Sequence, residues 1–414
     1  MSSMSTDAVA ADCAPSPRRS RAASALLGAS LVLIAFNLRP LFSSLSVLLP
    51  ELQRAVPLNA AAAGYLTTLP VLCLGLFAPF APRLAQRIGP ERCLLLVLVL
   101  LAAGTGFRGL GSPFALFAGS ALAGAAIALG NVLLPSVVKR DFAHKAALMT
   151  GLYTMALCGG AAMGAAFTLP IMHAGGDDWR VGLAFWALPA VLVMLLWAPQ
   201  SLRSALPSRQ ARRRVSGLRK DMLAWQVSFF MGLQSALAYC VMGWMSPILR
   251  SRGLDGVEAG LMLSASVMVQ VATCMLVPAA GVRMRNQCML NVGLAAIAAT
   301  ALIGLLYAPV GTLWGWAIVQ GIGQGGLFAM AMTVIVLRSP DSHVAAHLSG
   351  MAQGIGYVLA AAGPLLVGIL QSATGSFAST GWVFAILGLA TAVNGWGAGR
   401  ARLVKANSTP LGHP

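Results

Sequence analysis

The sequence has 414 residues, of which 58% are apolar and 9% are charged, with a formal net charge of +17 and a mean hydropathy of +0.79. A soluble protein keeps roughly a quarter of its residues charged, so this composition excludes one or several ordinary soluble domains. The apolar runs are continuous and do not alternate with polar residues, which excludes a transmembrane β-barrel and predicts an all-α polytopic membrane protein.

Twelve apolar segments are long enough to cross a bilayer, which takes about 20 residues per helix. A polar N-terminus, 1–21, precedes them and is predicted to be disordered. The first six-helix domain, 22–198, contains predicted spans at 24–49, 59–81, 93–110, 114–138, 146–172 and 181–198. After an Arg-rich linker, 199–221, the second domain, 222–399, contains predicted spans at 222–249, 259–280, 288–307, 312–336, 348–371 and 380–399. Residues 400–414 form a polar tail.

Basic residues are distributed unequally between the two sides of these spans. Of the 28 Lys and Arg residues, 22 lie in the N-terminus, alternate loops, the linker and the tail, and Arg39 lies inside a span. The other five are placed on the opposite side: Arg54, Arg108, Arg180, Arg250 and Arg252. Because Lys and Arg concentrate in cytoplasmic loops, this predicts a multi-pass protein of the bacterial inner membrane with both termini cytoplasmic. The charge is explained by topology, so no nucleic-acid partner is expected.

The seven cysteines are odd in number and form no CxxC pair, so the sequence indicates neither a disulfide framework nor a zinc site, and no cofactor is expected. An internal repeat is indicated instead by three pairs of glycines, each 199 residues apart: Gly124 and Gly323, Gly151 and Gly350, Gly164 and Gly363. A six-plus-six parallel repeat is typical of transporters that move two halves around a central site.

The loop between spans 2 and 3 carries a motif that is shared with a known family. Residues Leu84, Ala85, Arg87 and Gly89 fit the pattern Gly-x-Leu-Ala-Asp-Arg-x-Gly, with Pro82 and Gln86 in place of its Gly and Asp. With twelve spans in two halves, the chain resembles the major facilitator superfamily. This resemblance implies alternating access, with a gating loop that comprises Arg83, Arg87, Gly89 and Arg92.

The first half resembles one branch of that superfamily, the cyanate and nitroimidazole transporters. The matching residues are the tetrad Asn37-Leu38-Arg39-Pro40 in span 1, the run 66–73 in span 2 and the run 130–135 in span 4. The resemblance implies a secondary transporter that moves a small anion or a small nitrogen-containing solute, cyanate-like or nitroimidazole-like, across the inner membrane.

Arg39 is the residue to which the side-chain chemistry points independently. All eleven Asp and Glu residues lie in loops or at helix ends, so no carboxylate is predicted inside the bilayer to pair with this cation. A charged side chain at mid-bilayer costs at least ~3 kcal/mol. An Arg that is kept there suits anion binding, because its planar fork donates several hydrogen bonds and stays charged. The alternative is an Arg that extends toward the interface or neutralises a backbone dipole. Pro40 predicts a break in the helix at this point.

We predict that Arg39 and a set of polar residues line a central cavity. These residues are Asn37 in span 1 and polar side chains at helical spacing on the faces of six other spans. The alternative role for each of them is a hydrogen bond between helices. They are Asn37, Asn131, Tyr153, Gln234, Tyr239, Gln270, Gln324, Gln353 and Tyr357.

Other classes of function were weighed against transport. The sequence has no H-E-x-x-H, G-x-S-x-G or Walker motif and no intramembrane acid pair, so an enzyme is not expected. Two alternatives stay open, a drug or metabolite efflux transporter of the same fold and a non-transporting membrane sensor or scaffold. The expected partners are an anionic small molecule and the lipid bilayer, and the expected state is a monomer.

Overall fold

Twelve helical spans make up the computed structural model of the protein, whose described residues are 21–56, 58–142, 145–202, 213–340 and 342–410. Each span overlaps its predicted position, so the all-α fold class and the number of spans are confirmed. The N-terminus before Arg21, which was predicted to be disordered, lies outside the described residues.

The six spans of the first half consist of the helices Arg21–Asn37 and Pro40–Ala55 (span 1), Ala60–Phe77 and Phe80–Ile88 (span 2), Pro90–Phe107 (span 3), Pro113–Asp141 (span 4), Ala146–Ala174 (span 5), and Trp179–Ala184 and Ala187–Leu202 (span 6). Those of the second half are Met222–Ser251 (span 7), Gly256–Gly281 (span 8), Cys288–Tyr307 (span 9), Leu313–Leu337 (span 10), Ser342–Ala360 and Ala362–Thr374 (span 11), and Thr380–Ala398 (span 12). Short 3-10 turns extend spans 3 and 10 and precede span 7: Arg108–Leu110, Val310–Thr312 and Leu218–Lys220.

Span 1 is broken between Asn37 and Pro40, as Pro40 predicts. Proline has no N–H to continue the helical bonds, and its ring disfavours helical geometry at the preceding residue. The carbonyl of Phe36, which loses its usual partner, faces Gly160 of span 5. A Cβ at Gly160 would come within 2.0 Å of that oxygen. The missing side chain therefore lets span 5 pack directly on the break.

The two halves repeat the same packing, in agreement with the 199-residue glycine spacing. In the first half Gly164 of span 5 packs on Pro40 of span 1, and a Cβ there would lie 3.0 Å from the Pro40 Cα. In the second half Gly363 of span 11 packs on Ala236 of span 7, at 3.0 Å from the Ala236 carbonyl oxygen. The contact of span 5 with span 1 in the first half thus corresponds to the contact of span 11 with span 7 in the second half.

Contacts between the halves join span 1 to span 7, span 2 to span 11 and span 5 to span 8. We call the face of the bundle on which span 6 ends and span 7 begins the linker side, and the other face the opposite side. Packing is close on the opposite side, where a Cβ at Gly260 would lie 2.5 Å from the Ala165 carbonyl oxygen. On the linker side, a Cβ at Gly151 or Gly350 would meet nothing within 4 Å among the described residues. The contact between spans 5 and 8 on the opposite side is therefore close, and open space lies beside these two glycines.

Arg108 is placed differently from the prediction. It was counted among the cations on the opposite side, at the end of predicted span 3, but it lies in the 3-10 extension of span 3 and its exposure is 0%. Its Nη1 donates to the Leu41 carbonyl oxygen of span 1 at 3.4 Å, and its stem fills the space left by Gly119 of span 4. The chain reverses one residue after this turn, at Gly111 with φ +83°, so Arg108 stays inside the first half. Arg39 is therefore not the only cation within the spans.

The linker and the tail, for which no secondary structure was predicted, pair with each other. Strand β1 (Arg213–Ser216) runs antiparallel to strand β2 (Asn407–Pro410), with Arg213 opposite Pro410. The backbone N–H of Val404 also donates to the carbonyl oxygen of Arg338, at the end of span 10, at 2.9 Å. These contacts hold the tail against the linker side of the second half.

Candidate functional site

The break in span 1 places Arg39 at the interface between the two halves. Arg39 is half-buried and precedes the first turn of the helix that begins at Pro40. Its guanidinium interacts with the hydroxyl of Tyr239 in span 7 and lies close to the hydroxyl of Tyr357 in span 11 and the thiol of Cys158 in span 5. Four spans from both halves thus converge on one cation.

Three aromatic rings from both halves lie next to one another near Arg39: Phe42 of span 1, Tyr239 of span 7 and Tyr357 of span 11. The ring of Tyr239 lies 5.3 Å from that of Phe42 and 6.2 Å from that of Tyr357, measured between centroids. The second pair is edge-to-face, with an angle of 70° between the planes. In the described part of the chain, no carboxylate is among the groups that act on Arg39. Its neighbours are neutral, and its positive charge is uncompensated.

Two other predicted residues bind each other across spans 7 and 10. The Nε2 of Gln324 donates to the Oε1 of Gln234 at 3.2 Å and to its backbone oxygen at 3.1 Å. The Nε2 of Gln234 donates to the Ser235 hydroxyl at 2.8 Å. Both side chains are fully buried, and the Gln324 Oε1 has no hydrogen-bond partner. The pair connects two spans of the second half, and a contact with substrate stays a prediction.

The remaining predicted residues lie at various distances from this centre. Tyr153 of span 5 lies near Tyr357 of span 11. The amide of Asn37 donates to the Leu33 carbonyl of its own helix at 2.9 Å, and that of Gln353 donates to the Ser349 hydroxyl at 2.9 Å. Two further residues, Asn131 and Gln270, are half-buried. The structure brings Tyr239 and Tyr357 toward Arg39 and Tyr153 toward Tyr357, while Asn37 and Gln353 bond within their own helices.

Three residues near Arg39 were not anticipated from the sequence. Cys158 is among its immediate neighbours, and Cys274 of span 8 lies close enough to interact with both Arg39 and Cys158. Phe42 reaches Tyr239 from one turn after Arg39. Phe42 could have been predicted, because a residue three positions after Arg39 on a helix lies on the same face. The two cysteines could not, because their proximity to Arg39 depends on how spans 5 and 8 pack.

The predicted gating loop forms the turn between spans 2 and 3. Gly89 has φ +90°, a conformation that L-residues rarely adopt, and it joins the two helices. The side chains of Arg83 and Arg87 are exposed, and that of Arg92 is half-buried. A role in gating stays a prediction for these residues.

The ion pairs at this corner involve other residues, which the sequence analysis did not single out. Arg140, at the end of span 4, binds Asp141 at 2.8 Å and also Glu91, at the start of span 3. The hydrogen bonds that Arg140 donates to the carboxylates of Asp141 and Glu91 raise the pKa of Arg140. In the second half, Arg338 at the end of span 10 binds the neutral Gln287 before span 9, and burial lowers the pKa of Arg338. The arginine at this corner is thus bound by carboxylates in the first half and by a neutral amide in the second.

An ion pair connects the two halves on the opposite side. Arg250 of span 7 donates to both carboxylate oxygens of Glu51 of span 1, at 2.7 and 2.9 Å, and to the Val47 carbonyl oxygen at 3.3 Å. Each of the two charged side chains is only 17% exposed. Bidentate Arg–carboxylate bonds are among the strongest polar contacts in proteins. This pair closes the opposite side above Arg39.

Comparison with known proteins agrees with this architecture. The sequence profile of the Major Facilitator Superfamily matches residues 25–318, and the chain belongs to this superfamily. A solved structure of a bacterial homologue of the human lysosomal transporter Spinster has the same fold, with a TM-score of 0.76 and 16% identity over 92% of this chain and 98% of that one.

Within the superfamily, the chain belongs to the family of the cyanate and nitroimidazole transporters. It is 36% identical to the 2-nitroimidazole transporter of Escherichia coli (strain K12), over 92% of this chain and 97% of that protein. It is 31% identical to the cyanate transport protein CynX of the same organism, over 86% of this chain and 92% of that protein. The protein is thus a membrane transporter of this family.

Proposed function

We propose that this transporter moves a small anion or a small, planar, nitrogen-containing solute across the inner membrane by alternating access, with Arg39 as the principal ligand. The observation that carries the proposal is the uncompensated Arg39 guanidinium, surrounded by tyrosine hydroxyls at the junction of the two halves. An anion would supply the missing countercharge, and the planar fork of Arg would bind it through several hydrogen bonds.

The aromatic neighbours of Arg39 support the planar part of this proposal. The rings of Phe42, Tyr239 and Tyr357 offer flat surfaces and edges to a conjugated solute. The hydroxyl of a tyrosine both donates and accepts hydrogen bonds, which suits nitro and ring-nitrogen groups as well as a cyanate ion. The relatives named for 2-nitroimidazole and cyanate transport fall within this range of solutes.

The two sides of the bundle support alternating access. The Glu51–Arg250 pair closes the opposite side, and open space lies beside Gly151 and Gly350 on the linker side. We infer a conformation that is open toward the linker side. Breaking the ion pair and packing the linker-side ends of the spans together would give the alternate state, with Arg39 accessible from the other side.

A flux assay with purified protein in liposomes tests the function. We expect protein-dependent uptake of radiolabelled cyanate or 2-nitroimidazole that saturates with concentration, competes with the unlabelled solute and is absent from protein-free liposomes. A large organic cation serves as the specificity control, because it would meet the positive charge of Arg39. Uptake of the cation without uptake of either test solute would contradict the proposal.

We also propose that both termini are cytoplasmic and that the protein acts as a monomer. The proposed orientation places the linker side, with 22 basic residues, in the cytoplasm. A green fluorescent protein fused after Pro414 should fluoresce, and an alkaline phosphatase fused at the same residue should be inactive. The reverse result would overturn the topology, and light scattering of the solubilised protein will give its oligomeric mass.

A further inference from the structure

A basic pocket lies at the linker side of the second half, remote from Arg39. The pocket has a volume of about 640 Å³ and is formed where span 7 begins and span 12 ends. Four cationic side chains line it: Lys220, Arg400, Arg402 and Lys405. Asp221 is the acidic residue in its lining. The pocket therefore carries a surplus of positive charge.

The walls of this pocket are held by specific contacts. The Oδ1 of Asp221 accepts the N–H of Leu223 at 2.7 Å and caps span 7, and its Oδ2 accepts the backbone N–H of Lys405. The pairing of β1 with β2 fixes the tail beyond this point. Among the contacts of the described residues, the Asp221 carboxylate accepts from two backbone donors and forms no ion pair with the four side-chain cations. The tail residues are held in place as part of a built site.

The four cations differ in whether their side chains already form hydrogen bonds to the protein. Arg400 donates from Nη2 to the Gln226 Oε1 at 2.7 Å and from Nε to the Gly397 carbonyl oxygen at 3.1 Å. These two bonds hold its guanidinium against the pocket wall. The side chains of Lys220, Arg402 and Lys405 are exposed toward solvent. One fixed and three exposed cations make a suitable site for a phosphate group.

The apolar residues of the same lining indicate what carries that phosphate. Met222 is 71% exposed and Leu403 is 57% exposed, and both line the pocket beside the cations. Met222 is the first residue of span 7, so the pocket lies at the boundary between the apolar and polar regions of the membrane. Basic pockets at such boundaries bind anionic lipid head groups. A soluble phosphate would leave the two apolar side chains without a partner.

We propose that this pocket binds the phosphate of an anionic phospholipid, with the acyl chains lying along Met222 and Leu403. The site is formed by the end of the linker, the start of span 7 and the tail, and it is independent of the substrate that Arg39 takes. Bound lipid would bridge the start of span 7, the end of span 12 and the tail. It would therefore stabilise the docked position of the tail.

Native mass spectrometry of the full-length, detergent-purified protein tests this proposal. The probes are dioleoyl phosphatidylglycerol, dioleoyl phosphatidylcholine and glycerol phosphate, each titrated separately. We expect the wild type to bind phosphatidylglycerol more tightly than phosphatidylcholine, a comparison that requires no variant. The double variant R402Q/K405Q should bind phosphatidylglycerol about tenfold more weakly, since each basic residue near the surface contributes to attraction of anionic lipid.

The matched control is R283Q/R285Q, which removes the same charge from exposed residues in the loop between spans 8 and 9 on the same side. An equal loss in both double variants would show a general charge effect and overturn the pocket. Equal binding of the two lipids by the wild type would also overturn it. Displacement of phosphatidylglycerol by equimolar glycerol phosphate would identify a site for soluble phosphates and overturn the lipid assignment.

Discussion

Replacement of Arg39 with alanine is expected to nearly abolish substrate binding and transport. If Arg39 supplies the charge-assisted hydrogen bonds to an anion, its loss at a desolvated site costs about 2–5 kcal/mol. This corresponds to a loss in affinity of roughly 30-fold to several thousand-fold. The measurement is the dissociation constant and the initial rate of uptake for cyanate and 2-nitroimidazole, at matched amounts of protein.

The Arg39→Lys variant distinguishes the hydrogen bonds that the guanidinium donates to the substrate from the effect of its positive charge alone. Lysine keeps the charge but has a compact ammonium without the planar fork, so uptake should be weakened, to a level between those of the wild type and Arg39→Ala. Arg283→Ala, which removes an exposed cation remote from the site, is the matched control and should transport normally. The amount of protein in the membrane should change little, because Arg39→Ala removes an unpaired charge from the bilayer interior. Wild-type affinity in Arg39→Ala would eliminate the anion site and favour a neutral heterocycle bound by the tyrosines.

Reversal of a single charge in the Glu51–Arg250 pair is expected to slow transport strongly, and reversal of both charges should restore it. In Glu51→Arg two guanidinium groups would face each other, and in Arg250→Glu two carboxylates would do so, at a site where each side chain is 17% exposed. Loss of hydrogen bonds to charged groups costs about 1.5–3 kcal/mol. The closed opposite side should therefore be destabilised by roughly 10- to 100-fold relative to the alternate state.

The double variant E51R/R250E rebuilds an attractive pair with exchanged residues. We expect its uptake rate to lie within about threefold of the wild type, which would give a large coupling energy in a double-mutant cycle. Glu258→Arg is the matched control, because Glu258 lies on the same side but bonds to Trp314 within the second half. If the double variant is as slow as the single ones, the pair does not act as a closure between the halves.

The spans and the break at Arg39 were predictable because both depend on local chemistry. In lipid, the backbone polar groups of a long apolar run find hydrogen-bond partners only if the run is helical. Pro40 removes one helical hydrogen bond regardless of how the helices pack. Arg108 shows where this reasoning fails. It was counted as a cation on the opposite side, whereas its burial depends on the turn at Gly111 and on the space beside Gly119. Neither can be read from hydropathy.

The composition of the site was only partly predictable. Arg39 was identified from its charge, and Tyr239 and Tyr357 from their positions on polar helix faces. Gln234 and Gln324 lie on similar faces, but they bond to each other, which depends on the spacing of spans 7 and 10. The pairing of β1 with β2 connects segments almost 200 residues apart in sequence. Such a contact cannot be predicted from local sequence patterns.

The position of the Glu51–Arg250 pair has a consequence for how the two halves recognise each other. The two residues are 199 apart, the same interval as the paired glycines, so they occupy equivalent positions in the repeat and meet at its pseudo-twofold axis. A residue on such an axis faces its own equivalent, and a chain built from two identical halves would place like charges in contact there. Two copies of the first half would oppose two carboxylates, and two copies of the second half would oppose two guanidinium groups. The attraction exists only because the halves have diverged, and it makes each half selective for the other over a copy of itself.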